Sequence, residues 1–320
     1  MARAHPLALS TLAAVALAAG LLVGTQPARA AAAWDDQAVT LADGYRLWFV
    51  ELPGAPTSEG GDPATIQQQQ QAFRGAAAGA GLKYRPRRAF SKLWNGLSIA
   101  VDPSSVGTLG RMEGNAGVYP VVAVTVPDSQ EAAEPALLTA LSMTGADVAQ
   151  NELGLTGAGI KVGMIDTGID YDHPDLGGDG VARNNSTQFP NSRVIGGFDF
   201  VGDDFDGSND PSPDPYPDDC YGHGTHVAGI LGANGLVRGV APGVQFEAYR
   251  VFGCTGSTPA DILIAAMERA LDDGVQIVNM SLGTPFEWPG YPSAKAANRL
   301  VNHGVVVCAS IGNDGANGLY

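Results

Sequence analysis

Three side chains with catalytic potential each stand beside an apolar run of the sequence. Asp166 comes directly after KVGMI, His223 begins the segment HGTHVAGILGANG, and Asn313 lies in a glycine-flanked turn after GVVVCAS. A carboxylate beside an imidazole orients the ring and stabilises its cation, so the ring can take a proton from a nucleophile. A side-chain amide can donate a hydrogen bond to the oxyanion that then forms. Alone, Asp166 is better explained as a turn cap and Asn313 as a turn residue.

His223 and His226 stand three residues apart, which raises the alternative of a metal site. A helix N-terminus disfavours the charged form of His223, so a general base there needs a carboxylate beside it, and Asp166 is the candidate. A zinc site would need a third ligand and a glutamate base, and the pattern H-E-x-x-H is absent. We interpret His226 as a packed or hydrogen-bonded histidine. A metal-dependent hydrolase that uses both histidines and an aspartate is the less favoured hypothesis.

The elements around these residues predict an α/β fold. Five short apolar segments are typical of strands: IKVGMID, RVIGGFDF, QFEAYRVF, VQIVNMSLG and GVVVCAS. Between the third and fourth, STPADILIAAMERALDDG predicts a helix that Thr258 caps and that ends before Gly274. Such strands alternating with helices predict a doubly wound, mostly parallel sheet. Because sites form at the carboxyl ends of these strands, Asp166 and Asn313 are expected there.

A smaller unit precedes this sheet, over residues 43–126. Four segments predict strands (YRLWFVEL, LKYRPRRAF, LSIAV and GVYPVVAVTV), and two predict helices (ATIQQQQQAFRGAAAGA, with an exposed glutamine face, and PSSVGTLGRM, with a serine cap). Asn95-Gly96 suits a turn with positive φ. The order β-α-β-β-α-β predicts a small ferredoxin-like α+β domain. Residues 127–143 are acidic and without clear period, which predicts an exposed, cleavable linker.

The first 30 residues predict a secretory signal peptide. Arg3 precedes an uncharged apolar run over residues 7–24, and Ala-Arg-Ala at 28–30 is a small-x-small cleavage site. The alternative is a transmembrane anchor, since the run is just long enough to span a bilayer. We expect a secreted protein with no membrane attachment after signal removal. The net charge of −15 argues against nucleic-acid binding, because no basic stripe can neutralise phosphates.

Three cysteines fit an oxidising compartment. Cys220 and Cys254 both lie in predicted loops and are the favoured disulfide pair. Cys308 lies in a predicted strand, so we expect it to be a small buried side chain with a free thiol.

Residues 144–320 resemble the subtilisin-like serine proteases (subtilases, peptidase family S8). DTGID resembles the family's aspartate motif, HGTHVAG its histidine motif and GND its oxyanion-hole turn, and GVAP and NMSLG are also family-like. The sequence around these motifs is similar to that of large secreted subtilases with an inserted protease-associated domain. Residues 43–126 resemble the family's inhibitory propeptide.

The resemblance implies an endopeptidase that acts on polypeptide substrates, requires no cofactor and is inhibited by its own propeptide. Asp166 would orient His223, His223 would act as general base, and Asn313 would donate to the oxyanion. Two strand edges and the wall of the P1 pocket would bind substrate. The residues implied there are Ser281, Leu282, Gly283, Gly253, Gly256, Ser310 and Gly312.

The chain departs from the family at the nucleophile. The family's serine lies in Gly-Thr-Ser-Met-Ala-x-Pro, and the 320 residues contain no such segment. Ser281 and Ser310 do not replace it, because both occupy substrate-edge positions. The sequence thus predicts a fragment of a longer protease that is inactive alone and leaves one sheet face partly uncovered. The alternative is an inactive truncated paralogue whose N-terminal domain inhibits or chaperones another protease.

A second departure concerns calcium. Many subtilases carry a calcium loop soon after the histidine helix, and GILGANGLVRGVAP is too short to contain one. Asp175 occupies a position that is a calcium ligand in some relatives. The aspartate-rich residues 202–219 could also bind Ca²⁺ through oxygen ligands, although a solvated loop is the favoured interpretation. The sequence leaves calcium binding open.

Overall fold

The computed structural model describes residues 35–126, 137–181, 189–284 and 288–312. The predicted signal peptide and Asn313 lie outside these ranges.

An antiparallel four-stranded sheet organises the N-terminal domain. Its elements are β1 (Arg46–Glu51), α1 (Pro63–Gly79), β2 (Tyr84–Phe90), β3 (Gly96–Val101), α2 (Val106–Leu109) and β4 (Gly117–Pro120). The strand order is β2-β3-β1-β4, as the β-α-β-β-α-β pattern predicts. Asp62 caps α1, since its carboxylate accepts a hydrogen bond from the Thr65 amide. The predicted serine cap of the second helix is wrong: Asp102 caps a short 3-10 turn, Pro103–Ser105, and α2 is a single turn.

Both faces of this sheet are buried. Trp48 and Val50 of β1 pack in a cluster with Phe73 of α1. Leu47 and Phe49 alternate with them and point to the opposite face, as period-2 geometry requires. They join the hydrophobic core of the larger domain. The N-terminal domain therefore covers one sheet face with its own helix and the other with its neighbour.

Two expectations about this domain are wrong. Gly96 forms no positive-φ turn: it begins β3 and pairs with both Glu51 and Phe90. A side chain at Gly96 would place its Cβ 2.3 Å from the Trp94 ring, so close packing is what requires glycine here. The glutamine run is not wholly exposed, since Gln70 is buried and its amide donates to the Phe90 carbonyl at 3.1 Å.

The segment GVYPVVAVTV forms two strands where one was predicted. β4 ends at Pro120, and β5 (Ala123–Thr125) leaves the four-stranded sheet to pair elsewhere. The buried Tyr291 hydroxyl holds the chain at the crossing: it donates to the Pro120 carbonyl at 2.8 Å and accepts from the Val122 amide at 3.0 Å. A distant side chain therefore decides where the strand breaks.

The larger domain is built on a parallel five-stranded sheet. Its elements are α3 (Leu137–Thr144), α4 (Ala146–Asn151), β6 (Lys161–Asp166), β7 (Val194–Asp199), α5 (His223–Gly232), β8 (Gln245–Arg250), β9 (Ser257–Pro259), α6 (Ala260–Asp272), β10 (Ile277–Met280), α7 (Pro292–Asn302) and β11 (Val306–Ala309). The sheet order is β11-β10-β6-β8-β7. Ala228 of α5 packs in one hydrophobic cluster with the sheet, and residues of α6 and α7 pack in another. The predicted α/β fold with a mainly parallel sheet is confirmed.

Several local expectations in this domain need correction. α3 occupies residues that the sequence assigned to the linker, and α7 was not foreseen. Thr258 does not cap α6, because it belongs to β9; the residue before the helix is Pro259, with no side-chain cap. Cys308 is exposed and not buried, since β11 is an edge strand and much of its surface is uncovered. Gly274 does end the helical segment with a φ of 65°.

The two domains meet where α6 and α7 cover the four-stranded sheet. Phe49 packs edge-on against Tyr291 with ring centroids 5.9 Å apart. Arg87 Nε lies 2.7 Å from a carboxylate oxygen of Asp261, and both side chains are almost fully buried. Lys295 contacts Glu51 at 2.8 Å. Apolar packing and ion pairs thus join the same two surfaces.

Candidate active site

Asp166 and His223 are in direct contact at the carboxyl end of the parallel sheet. The Asp166 Oδ1 atom lies 2.7 Å from His223 Nδ1. Asp166 is the last residue of β6, and His223 is the first residue of α5. The carboxylate is 1% exposed and the imidazole 13% exposed. The structure therefore brings together the two residues that the sequence selected.

Short backbone contacts fix the position of this pair. The Thr167 amide donates to Asp166 Oδ1 at 2.7 Å, and the Gly224 amide donates to the Thr167 hydroxyl at 2.8 Å. A Cβ at Gly224 would lie 2.1 Å from the Gly168 carbonyl oxygen. Glycine at 224 is needed because the first turn of α5 presses against the end of β6.

Asp219 organises the loop that leads into α5, and the sequence analysis missed it. Its Oδ1 atom accepts hydrogen bonds from the Tyr221 and Gly222 amides at 2.9 and 2.8 Å. Its Oδ2 atom accepts from the Thr225 amide and hydroxyl at 2.9 and 2.6 Å. An aspartate just ahead of a helix start is a capping signal, and this signal could have identified it.

The environment shifts the proton affinities of the site. The hydrogen bond that His223 donates to Asp166 raises the pKa of His223 above its ordinary value. Burial raises the pKa of Asp166, and the bond to His223 opposes that shift. Burial and the neighbouring Asp170 raise the pKa of Asp218 to about 7. Its raised pKa lets the imidazole keep a proton that it has accepted. The loops around it contain several aspartates whose negative charges repel one another.

A disulfide anchors the loop before His223. Cys220 and Cys254 are bonded with their Cα atoms 5.2 Å apart, which confirms the favoured pair. Arg250 lies beneath it, fully buried, with Nη2 2.9 Å from the Cys220 sulfur and Nη1 2.7 Å from Asp203. Among the described residues, the one group of acidic and cysteine side chains close enough to share a metal is Asp203 with these two cysteines. Because the sulfurs of Cys220 and Cys254 form the disulfide, neither is a thiolate that could bind a metal.

His226 lies one turn after His223 and is exposed. The prediction of a packed His226 is therefore wrong, because α5 turns this position towards solvent, and a hydrogen-bonded His226 stays a prediction. The His223 side chain is largely buried against Asp166, whereas His226 is exposed. Among the described residues the two histidines belong to no group close enough to share a metal.

β5 lies between the two edges that the sequence assigned to substrate. It pairs antiparallel with β9, with Val124 opposite Thr258 and Thr125 opposite Ser257. On its other side Thr125 forms an antiparallel bridge with Gly283. The tail of the N-terminal domain, residues 121–126, thus occupies a slot that accepts an extended strand on both sides.

The remaining candidate residues lie around this slot. Leu282 is buried, and its carbonyl accepts a hydrogen bond from the Ser310 hydroxyl at 3.1 Å. The Ser281 hydroxyl accepts from Asn279 at 3.0 Å. Gly312 has a φ of 91°, and Asn313 lies outside the described residues.

One predicted edge is displaced. Gly253 and Gly256 lie against the neighbouring loop. A Cβ at Gly253 would lie 2.0 Å from the Phe205 carbonyl oxygen, and a Cβ at Gly256 would lie 2.4 Å from the Asp206 carbonyl oxygen. The residues that pair with the tail are Ser257–Pro259. The predicted edge, residues 253–257, therefore overlaps the pairing strand at its last residue, Ser257.

Asp175 contacts backbone amides at the position considered for calcium. Its Oδ1 atom accepts from the Leu236 amide at 2.8 Å and its Oδ2 atom from the Val237 amide at 3.0 Å. The carboxylate is buried. In this chain Asp175 therefore ties the loop after α5 to the segment after β6.

Within the described part of the chain, no helix combines the length and apolar character needed to cross a bilayer.

The comparisons with known proteins agree with this geometry. The profile of the Subtilase family (Peptidase_S8) matches residues 157–320. The chain is 36% identical over 239 residues to the minor extracellular protease Vpr of Bacillus subtilis (strain 168), which covers 72% of this chain and 28% of Vpr. It is 35% identical over 182 residues to subtilisin Savinase of Lederbergia lenta, covering 56% of each chain. The chain thus spans between about a quarter and little more than half of these relatives.

A solved structure shows the same fold. The epidermin leader peptide processing serine protease of Staphylococcus aureus superposes with a TM-score of 0.57 at 21% identity, covering 85% of this chain and 61% of that one. At this identity the likeness is evidence of fold only. Since the family profile matches just over half of the chain, the chain belongs to the subtilase family.

Proposed function

We propose that this chain is the N-terminal part of a secreted subtilisin-like serine endopeptidase that is made as an inhibited zymogen. The observation that carries the proposal is the 2.7 Å contact between Asp166 and His223 beside a strand-accepting slot. In this proposal Asp166 and His223 are two members of an Asp-His-Ser triad.

The geometry assigns a role to each ring nitrogen. Because Nδ1 of His223 is bonded to Asp166, Nε2 is left to take the proton of a serine hydroxyl as that oxygen attacks a peptide carbonyl. The imidazolium then returns the proton to the amine that leaves as the C–N bond breaks. Asp166 keeps the ring oriented and stabilises its charge. Asn313 is proposed as the amide donor to the oxyanion.

The tail supports the proposed substrate mode and the proposed inhibition together. An extended polypeptide would pair with Ser257–Pro259 on one side and Gly283 on the other, as β5 does. While residues 121–126 hold that slot, a substrate strand is excluded. The N-terminal domain thus acts as the intramolecular inhibitor in this proposal.

Activity requires a nucleophile, and Gly-Thr-Ser-Met does not occur in the 320 residues. We therefore propose that these residues alone hydrolyse no peptide bond. The decisive experiment extends the reading frame beyond the codon for Tyr320, expresses the product and treats it with a serine-reactive fluorophosphonate. A Gly-Thr-Ser-Met segment and covalent labelling support the protease.

Two matched variants make the labelling experiment specific. Asp166→Asn should slow labelling strongly, because it removes the acid that orients His223. Asp147→Asn, in the first turn of α4, should leave the labelling rate unchanged. A stop codon after Tyr320 with a stable product would instead support the inhibitor or chaperone alternative, and equal labelling of both variants would contradict the triad.

We propose that the protein needs no resident cofactor, and Asp175 offers a test of the calcium alternative. Because backbone amides satisfy both oxygens of this carboxylate, a chelator should leave the melting temperature unchanged. Asp175→Asn should lower it, since one buried acceptor is lost at a cost of about 1–3 kcal/mol. Differential scanning calorimetry with and without EDTA gives both values, and a drop with EDTA alone would contradict the proposal.

A further inference from the structure

One ion pair of the domain interface stands apart from another by its burial. Arg87 Nε of β2 donates to Asp261 Oδ2 in the first turn of α6 at 2.7 Å, and the two side chains are 10% and 0% exposed. By contrast, Lys92 and Asp272 pair across the same interface with 41% and 47% of their side chains exposed. Water screens the exposed pair, whereas the buried pair is costly to break. The two pairs should therefore act differently when the domains meet.

Within the described part of the chain, Asp261 receives its side-chain hydrogen bonds from the N-terminal domain. Its Oδ2 atom accepts from Arg87 Nε and from the Ser98 hydroxyl, the latter at 2.8 Å. Ser98 lies on β3 and is fully buried. Because β2 and β3 belong to one domain and α6 to the other, separation of the domains removes both donors from this carboxylate at once. The hydrogen bonds that compensate its burial thus exist only in the docked state.

A second arginine, Arg88, also acts on Asp261. The two charges interact, and burial lowers the pKa of Arg88. The hydrogen bonds to Asp261 come from Arg87 and Ser98 instead. Arg88 lines a cavity together with Glu268, so a further acid lies near it. Arg87 is therefore the cation that contacts Asp261 directly.

The burial of the Arg87–Asp261 pair suits it to selectivity. A buried ion pair stabilises a structure no more than well-packed apolar side chains of similar volume, because the desolvation of both charges offsets their attraction. Removal of one partner alone is strongly destabilising, since the other charge stays buried without compensation. Specificity is a difference between two affinities. A buried pair creates such a difference by penalising every partner that lacks the matching charge.

We propose that Asp261 selects the N-terminal domain that the larger domain accepts. A domain that brings an arginine to the position of Arg87 and a hydroxyl to that of Ser98 docks on α6. A domain with apolar side chains there buries Asp261 without compensation and is rejected. The accepted partner is this chain's own N-terminal domain. This selectivity deepens the proposed inhibition and rests on it for its biological role, but the docking itself does not depend on Asp166 or His223.

Amide hydrogen exchange of the intact 320-residue chain measures this docking. The Lys92 and Leu93 amides donate to Glu268 across the interface at 2.8 and 2.9 Å, so their exchange rates report the opening of the interface. The amides of β3 pair within the N-terminal domain and report whether that domain stays folded. Neither rate depends on enzyme activity. A negative result here would therefore leave the proposed protease untouched, and the reverse also holds.

Arg87→Met should accelerate exchange of the two interface amides by about tenfold or more, because it leaves Asp261 buried without its direct cation. Asp261→Leu should act in the same direction. The triple variant Arg87→Met/Ser98→Ala/Asp261→Leu replaces the polar group by apolar side chains and should exchange within a few-fold of the wild type. Asp272→Asn breaks the exposed pair. It is the matched control and should leave the rates unchanged.

Equal acceleration in Arg87→Met and in the triple variant would overturn the proposal, and so would wild-type rates in Arg87→Met. A loss of protection in the β3 amides of Arg87→Met would indicate misfolding of the N-terminal domain. In that case Asp261→Leu, whose N-terminal domain is unchanged, is compared with the triple variant. The triple variant should exchange more slowly than Asp261→Leu, and equal rates would overturn the proposal.

Discussion

The surface between the two domains and the loops around Asp166 treat their acidic residues in opposite ways. At the interface, acids are compensated: Glu51 contacts Lys295 at 2.8 Å and Glu59 contacts Arg299 at 2.8 Å. Around the site, Asp170 and Asp218 lie close enough for their charges to interact, and the pKa of Asp218 rises to about 7. Paired charges stabilise the interface, whereas the aspartates of the site loops repel one another and destabilise the folded state.

The contrast indicates that the interface contributes more to the stability of the fold than the site loops do. Complementary charges and apolar rings stabilise the interface, and a fold that depends on it should respond strongly when it is damaged. Crowded carboxylates at the site are held by local hydrogen bonds and by the disulfide. Removal of one negative charge there should reduce the repulsion between carboxylates and so raise the free energy of unfolding. This agrees with the general finding that functional sites are not optimised for stability.

The largest expected effect comes from emptying the interface core. Phe49→Ala removes a fully buried ring that packs against Tyr291 and Trp94. We expect a loss of about 3–5 kcal/mol in the free energy of unfolding, the usual cost of such a cavity. Urea unfolding followed by tryptophan fluorescence measures it. Val306→Ala, on the exposed edge strand, is the control, and similar losses in both variants would remove the contrast.

A smaller effect is expected from one carboxylate that bridges the domains. Glu268 accepts hydrogen bonds from the Lys92 and Leu93 amides at 2.8 and 2.9 Å. Glu268→Ala should cost about 1–3 kcal/mol, because two backbone donors lose their acceptor. Glu268→Gln keeps a carbonyl acceptor and should lie close to wild type in the same unfolding assay. If both variants behaved alike, charge and not hydrogen bonding would explain the contact.

A pH-dependent effect of opposite sign is expected at the site. The folded pKa of Asp218, about 7, is above the unfolded value of about 3.9. The folded state therefore holds this proton more tightly, and stability is lost as the pH rises from about 4 to about 7. Asp218→Asn should match the wild type near pH 4 and melt at a higher temperature at pH 8.

Asp206 supplies the matched control for that series. Hydrogen bonds from Ser208 lower the pKa of Asp206, so its contribution to stability is present at neutral pH and fades on acidification. Asp206→Asn should therefore melt below the wild type at pH 8 and approach it at low pH. Melting curves from about pH 2 to about pH 8 compare the two variants, because the contribution of Asp206 is lost only below its unfolded pKa of about 3.9. Shifts of the same sign would refute this account.

The smallest effect is expected at the uncovered edge of the parallel sheet. Val306 is 57% exposed and lies on β11, which pairs with β10 on one side. Val306→Lys should change the free energy of unfolding by no more than about 0.5 kcal/mol. It should also reduce self-association in light scattering, because a lysine blocks edge-to-edge pairing. A large loss of stability would show that this edge is covered in solution.

Sequence reasoning succeeded where the information is local. Asp166 and His223 could be selected because each lies at the end of a recognisable element and because strand ends converge in a parallel sheet. The disulfide could be favoured because both cysteines lie in loops. These inferences needed only short segments of sequence and the rule that sites form at the carboxyl ends of parallel strands.

It failed where the answer depends on distant residues. The break between β4 and β5 is set by Tyr291, far along the chain, so the segment reads as one continuous strand. The extended conformation of Gly96 goes with its pairing to Glu51 and Phe90 on the two neighbouring strands. The exposure of Cys308 depends on what covers β11. Tertiary context overrides a local pattern in each case.

The path of residues 121–126 has a consequence for how the N-terminal domain would separate from its neighbour. The N-terminal domain contacts its neighbour at two separate places, through the four-stranded sheet and through β5. It therefore behaves as a bivalent ligand. When one contact opens, the other keeps the freed part at a high effective concentration, and rebinding competes with escape. A single cut in the connecting peptide leaves both attachments intact. Release would therefore require damage to one of these two contacts, most simply proteolysis within the N-terminal domain.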